Sequence, residues 1–228
     1  VARIVANERD AAPIVVVSAM SGVTDSLLAA TNIAALENVF ERHRAVAREL
    51  LDSSQAATFI DQLREAADQI AALLAQKPAE CKSLQDAIVS FGETLSSTLL
   101  AAVLNQKEIK ARQVDARRCI ITDEEFTSAA PLMAETFSHS QSELIPVLEN
   151  GVVPVPGGFI GSTKQGVTTT LGRGGSDYTA ALIGAALGVR EIQIWTDVTG
   201  VLTADPRVVP EAQTVERLSY GEAAELAY

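Results

Sequence analysis

A chain of 228 residues, 47% hydrophobic and 21% charged, is long enough for one large domain or two lobes around a sizeable core. Its formal net charge of −11 argues against nucleic acid or an anionic membrane as the main partner, so an anionic ligand has to be met by local groups. Cys81 and Cys119 stand in no CxxC or metal spacing, which fits two free thiols in a reducing cytoplasm, and no leader or membrane-spanning run is legible.

The opening VARIVANERD lacks a Met and reads as an interior segment. Residues 14–17, IVVV, read as a buried strand of the continuous β-branched kind found in parallel sheets. A small-residue loop follows over 18–24. Its hydroxyls Ser18, Ser21 and Thr24 suit either a small polar ligand or a tight strand-to-helix turn. Residues 38–76 are helical by periodicity, with Val39, Phe40, Val46 and Leu50 recurring between charges. A second helical stretch covers 83–106, with Gly92 as an interruption. Glu93 lies in these apolar surroundings, either as a carboxylate for a cationic group or as a solvent-facing residue beside a kink.

Residues 108–123 read as strand, loop and short strand, and 133–150 as a helix stopped by Gly151. A buried strand and glycine loop follow over 152–162. The helix 176–187 ends at Gly188, with Ser176 or Asp177 as its cap. Residues 191–198 read as a strand carrying Thr196 and Asp197. Then come a turn at Gly200, the Asp205-Pro206-Arg207 excursion, and the start of a last helix at 219. His43 and His139 read as surface residues, and Trp195 as core or strand packing. Strand and helix alternate throughout, which predicts an α/β fold. Its form is a three-layer αβα sandwich with an open, mainly parallel sheet and ligands beyond the strands' carboxyl ends.

Two glycine motifs fail. GSTKQG (161–166) has P-loop glycine spacing, but Val167 and Thr168 occupy the Lys and Ser/Thr positions and no helix follows. PGGFIG (156–161) puts Pro156 at the first glycine of a dinucleotide fingerprint. TTTLGRGGSDYTAALIGAALG (168–188) is richer. Its glycines permit close backbone approach, amides from about Gly174 to Tyr178 point out of a helix N-terminus, and Arg173 offers a fork for carboxylate or phosphate. On spacing alone this motif weighs evenly against an ordinary capped loop.

Four blocks in order, VVVSAMSGVT, SFGE, GGFIGSTKQGVTTTLGRGGSDYTAAL and IWTDVTGVLTADPR, resemble the aspartate kinase branch of the amino acid kinase family. The resemblance implies an eight-stranded sandwich in which an N-terminal lobe (1–150) binds L-aspartate and a C-terminal lobe (151–228) binds MgATP. It implies phosphoryl transfer from ATP to the aspartate β-carboxylate. Arg173 and Asp177 would be catalytic. Ser18, Thr24, Glu93, Phe159, Arg173, Gly174, Gly175 and Ser176 would line the aspartate pocket. Thr196, Asp197, Asp205 and Arg207 would surround the nucleotide, with Mg2+ arriving on ATP and no metal held by the protein alone.

The family resemblance further implies a cytoplasmic homodimer without nucleic acid or membrane partners. It implies that a KFGGTS strand with a catalytic lysine precedes these residues, and that an FGAKVLHP segment and regulatory ACT domains follow. Leu202 stands where some relatives carry Tyr, and the connection near 33–40 is short for the family. Another acceptor (glutamate, acetylglutamate or a nucleoside monophosphate) and a non-catalytic role are the alternatives. A nicotinamide oxidoreductase is disfavoured by the absence of a GxGxxG.

Overall fold

The computed structural model describes residues 1–76, 81–196 and 200–226. It separates into two units, Val1–Ile192 and Gln193–Tyr228. The first unit opens with helix α1 (Ala2–Glu8), where the sequence had suggested no element. The short α2 (Val23–Ala29) follows the loop at 18–22. The stretch read as one helix over 38–76 is two, α3 (Glu37–Leu50) and α4 (Ser53–Gln76). The break has a local cause. Leu51 is extended and buried, and the Asp52 carboxylate accepts from the Gln55 amide at 2.8 Å, capping the new helix.

The buried face of α3 is Val39, Phe40, His43 and Ala47, while Leu50 is exposed. His43 is thus not a surface residue. It lies between Val39 and Ala47 at i,i+4 spacing, and its Nδ1–H donates to the Val39 carbonyl at 2.7 Å. Burial holds its pKa below the usual value.

Helix α5 (Lys82–Gln106) runs unbroken through Gly92. By length and composition it could cross a membrane, yet most of its most apolar stretch is buried inside the protein. The glycine serves close approach rather than a break. A Cβ at Gly92 would stand 2.9 Å from the Ala19 Cβ.

After α5 come β1 (Ala111–Val114), a 3-10 turn at Ala116–Arg118, β2 (Ile121–Thr122) and α6 (Met133–Glu149). Next are β3 (Val153–Pro156), β4 (Ile160–Thr163), β5 (Thr168–Thr170) and α7 (Gly175–Leu187). Strand β1 pairs parallel with β3. In a second sheet β2 pairs parallel and β5 antiparallel with β4. The described residues therefore hold five short strands in two sheets, where the family resemblance implied eight.

The expected strand at 14–17 lies along the free side of β3. Val15 and Val17 donate to the carbonyls of Pro154 and Pro156 at 3.0 and 3.1 Å. Proline has no N–H to return, so this ladder is one-directional and regular pairing is reduced to a single parallel bridge, Val17 with Gly157. Side chains still alternate. Val15 and Val17 pack with Leu104, Val153 and Val155 on one face, and Ile14 and Val16 with Leu144, Leu182 and Ile183 on the other. Helices α1 and α5 thus cover one side of the strands and α6 and α7 the other, which gives the αβα order. Cys119 is a free thiol in this second layer, and burial pushes it up to about 12.

Of residues 191–198, read as a strand, 191–196 carry no regular structure and 197–198 lie outside the described residues. Trp195 is exposed rather than packed. In the second unit, Leu202 bridges Thr214 antiparallel, and Ser219 and Glu222 form a reciprocal capping box at α8 (Tyr220–Leu226).

One contact ties the turn between β3 and β4 to α7. A Cβ at Gly158 would stand 2.7 Å from both Cα and Cβ of Ser176. Gly158→Ala is expected to lower stability by about 1–3 kcal/mol. The check is a lower urea midpoint at unchanged m-value.

Candidate active site

A cleft of about 470 Å³ opens in the first unit. Ser18, Thr24, Glu93, Phe159, Arg173, Gly174, Gly175, Ser176 and Asp177 all line it. These nine residues come from four separate segments. Ser18 follows the extended segment beside β3. Thr24 lies in the first turn of α2, which is entered through left-handed Gly22. Glu93 projects from the middle of α5. Phe159 sits in the turn after β3 with a φ of 67°, unusual for a non-glycine residue. Its amide donates to the Thr179 hydroxyl at 3.0 Å and its carbonyl accepts from Leu171 at 2.9 Å, which holds that conformation.

Arg173 stands between left-handed Gly172 and Gly174. Helix α7 starts one residue earlier than expected, at Gly175, so Gly174 is its cap and neither Ser176 nor Asp177 caps by side chain. Both occupy the first turn instead. The Ser176 and Asp177 amides precede Tyr178 N–H, which bonds the Gly174 carbonyl at 3.1 Å, so they lie at the positive end of the helix. A Cβ at Gly175 would stand 2.8 Å from the Phe159 ring, so the α7 mouth and the aromatic wall of the cleft are in direct contact. Arg173 is exposed and forms no salt bridge among the described residues.

Glu93 is the most perturbed group here. It is 3% exposed. Its Oε1 accepts from the Ala19 amide at 3.3 Å, and its Oε2 is buried with no hydrogen-bond partner. Burial pushes its pKa up to about 7, against the opposing pull of backbone hydrogen bonds from its own amide and that of Ala19. The backbone at Glu93 is pressed against the β3–β4 turn. A Cβ at Gly157 would meet the Glu93 Cβ at 3.0 Å and its carbonyl at 3.2 Å. A buried carboxylate oxygen facing a cleft without a donor is a ready acceptor for a ligand's cationic group.

Asp86, Thr127 and Thr170 also line the cleft and were not singled out from the sequence. Asp86 had a usable signal, since it is an acid seven residues before Glu93 in the same apolar helix and so on the same face. Thr127 had none. Of the expected nucleotide residues, Thr196, Asp205 and Arg207 belong to the second unit, where Asp205 and Arg207 form an ion pair at 2.7 Å within their own turn. Asp197 lies outside the described residues. Among the described residues no group of three or more His, Cys, Asp or Glu side chains is arranged to hold a metal.

The profile of the amino acid kinase family matches residues 1–228. The chain belongs to the amino acid kinase family. Lysine-sensitive aspartokinase 3 of Escherichia coli is 37% identical over 223 residues, covering 94% of the chain and 49% of that relative. Aspartokinase 3, chloroplastic, of Arabidopsis thaliana is 41% identical over 243 residues, covering the whole chain and 43% of the relative. A crystal structure of E. coli aspartokinase III in complex with aspartate and ADP superposes with a TM-score of 0.92 at 34% identity, covering 99% of this chain and 51% of that one. This amino acid kinase chain thus spans about half the length of the relatives it matches.

The raised Glu93 pKa has a thermodynamic sign. The folded state holds the proton more tightly than the unfolded chain, so ionising Glu93 lowers stability as pH rises from about 4.5 through about 7. Glu93→Gln removes that penalty. Its stability gain over the parent is expected to be absent near pH 4 and to grow to at most about 3 kcal/mol above pH 7. Urea denaturation across this range checks it.

Proposed function

We propose that the chain is the catalytic part of an aspartate kinase. It transfers the γ-phosphoryl group of MgATP to the β-carboxylate of L-aspartate, giving β-aspartyl phosphate for lysine, threonine and methionine synthesis. The observation that carries this reading is the pairing of opposite anchors in one cleft. Glu93 offers a buried, unpartnered carboxylate oxygen for an ammonium, and Arg173 at the mouth of α7 offers a guanidinium fork for a carboxylate. Together they fit a free α-amino acid. An N-acetylated acceptor would leave the Glu93 oxygen unmatched. The relative whose complex holds aspartate and ADP supports the same acceptor and a nucleotide donor.

The chemistry asks little of a base. A β-carboxylate is ionised at neutral pH and already nucleophilic. Its oxygen attacks the γ-phosphorus, the bond to the β,γ-bridging oxygen breaks, and ADP leaves, so no proton has to be removed. What remains is alignment and charge neutralisation. We assign Arg173 to the substrate carboxylate and Asp177 to organising the cationic groups at the reacting centre. Ser18, Thr24, Phe159 and the Gly174–Ser176 backbone shape the acceptor pocket. Thr196, Asp197, Asp205 and Arg207 are assigned to the nucleotide, with Mg2+ arriving on ATP. In this division residues 1–150 chiefly serve the acceptor and 151–228 the donor, in a cytoplasmic homodimer.

Hydroxylamine trapping with the intact protein, MgATP and L-aspartate tests the reaction. Aspartate-dependent hydroxamate, absent without acceptor and weak with glutamate, is expected. No hydroxamate from folded, ATP-binding protein overturns the reading. Arg173→Ala and Asp177→Ala are each expected to lower turnover by about 10²–10³-fold. Since an ammonium needs Glu93 ionised, kcat/KM for aspartate should rise with pH up to about 7 and level off. In Glu93→Gln that rise should vanish and aspartate KM increase, with the MgATP KM unchanged.

A further inference from the structure

Asp86 is buried to 1% exposure, yet it carries a carboxylate. Three donors converge on it. Oδ2 accepts from the Thr127 amide at 2.8 Å and the Thr170 amide at 3.0 Å, and Oδ1 from the Thr170 hydroxyl at 2.8 Å. Thr127 has a φ of 77°, a left-handed conformation that a β-branched residue keeps only when its surroundings enforce it. Thr170 is the last residue of β5, three before Arg173. The two anchored segments also meet each other. Ala129 N–H bonds the Thr170 carbonyl at 2.8 Å, and a Cβ at Gly172 would stand 3.4 Å from the Thr127 carbonyl oxygen. Asp86 therefore clips together the 123–130 loop and the root of the Arg173 loop, from the helix that also carries Glu93.

We propose that Asp86 is the positioning residue of the acceptor site, fixing the Arg173 loop relative to Glu93 so that the two anchors stand at the span of one amino acid. This inference rests on the reading of the cleft as an amino acid kinase acceptor site. Core packing alone does not account for a carboxylate at this place, since an apolar residue would cost no desolvation. A carboxylate accepts from three donors arriving from two segments without any of them turning round. Asparagine would keep both amide bonds on its Oδ1 and meet the Thr170 hydroxyl with that bond reversed, whereas alanine meets none of the three.

The test uses the intact protein with Asp86→Ala and with Thr170→Val, which removes only the hydroxyl bond. Two quantities are read in each, the aspartate and MgATP KM values and the hydrogen exchange of backbone amides. For Asp86→Ala the aspartate KM is expected to rise about tenfold or more, the MgATP KM to stay within about twofold, and amides of 127–130 and 168–175 to exchange about tenfold faster, with α6 unchanged. Thr170→Val should move both readouts the same way by about threefold, and it decides the matter if Asp86→Ala does not fold. An unchanged aspartate KM in folded variants overturns the proposal. So does exchange that rises evenly along the whole chain, which marks a merely structural carboxylate. If the parent protein forms no acyl phosphate, the kinase reading fails on that control, and the exchange pattern alone then judges whether Asp86 fixes the loop.

Discussion

The structure turns on the close approach of one helix to two loops. Helix α5 presses its backbone at Gly92 and Glu93 against Ala19 on one side and Gly157 on the other, at separations that leave no room for a Cβ on Gly92 and little for one on Gly157. The loop with Ser18 and Thr24, the turn with Phe159 and the Glu93 carboxylate are thereby held by a single rigid element. The fold accepts a cost there. A carboxylate oxygen is buried there without a partner, and the raised pKa of Glu93 reflects that cost.

The opposite wall is built by backbone conformation. Arg173 is flanked by two left-handed glycines, and α7 begins at once behind it. This gives a short loop with a fixed exit direction and places Arg173 just before the positive end of the helix. Phe159 and Gly175 touch, as do the Gly158 and Ser176 positions, so the α7 mouth cannot shift without moving the turn after β3. Rigid support of this kind is what the proposed phosphoryl transfer would ask of the protein. In a chain with a net charge of −11, a single cation and a helix terminus still act locally.

The second unit shows a different balance. Its capping box at Ser219 and Glu222 and its Asp205–Arg207 ion pair are local, within two or three residues. The run 191–196 reads as a strand by composition, yet no strand is assigned there. A strand exists only through its ladder to a neighbour, which local composition does not supply.

By itself the sequence determined what local chemistry controls. The alternation of elements gave the α/β class, and glycine stops ended α6 and α7 near Gly151 and Gly188. The glycine-rich block with Arg173 weighed evenly between a site and a capped loop, and the residues that the family resemblance placed in the acceptor pocket all line one cleft. Tertiary structure decided what depends on contacts between distant segments. Gly92 looked like a break and proved a packing surface, because what fills the missing side chain's place is Ala19, remote in the chain. His43 looked exposed and is buried, because α4 and its neighbours cover that face. The alternating prolines of β3 reduced a good strand to a single bridge by withholding donors from it. Asp86 was passed over because its partners Thr127 and Thr170 lie 41 and 84 residues away. A buried carboxylate takes its meaning from the donors around it, and no local pattern names them.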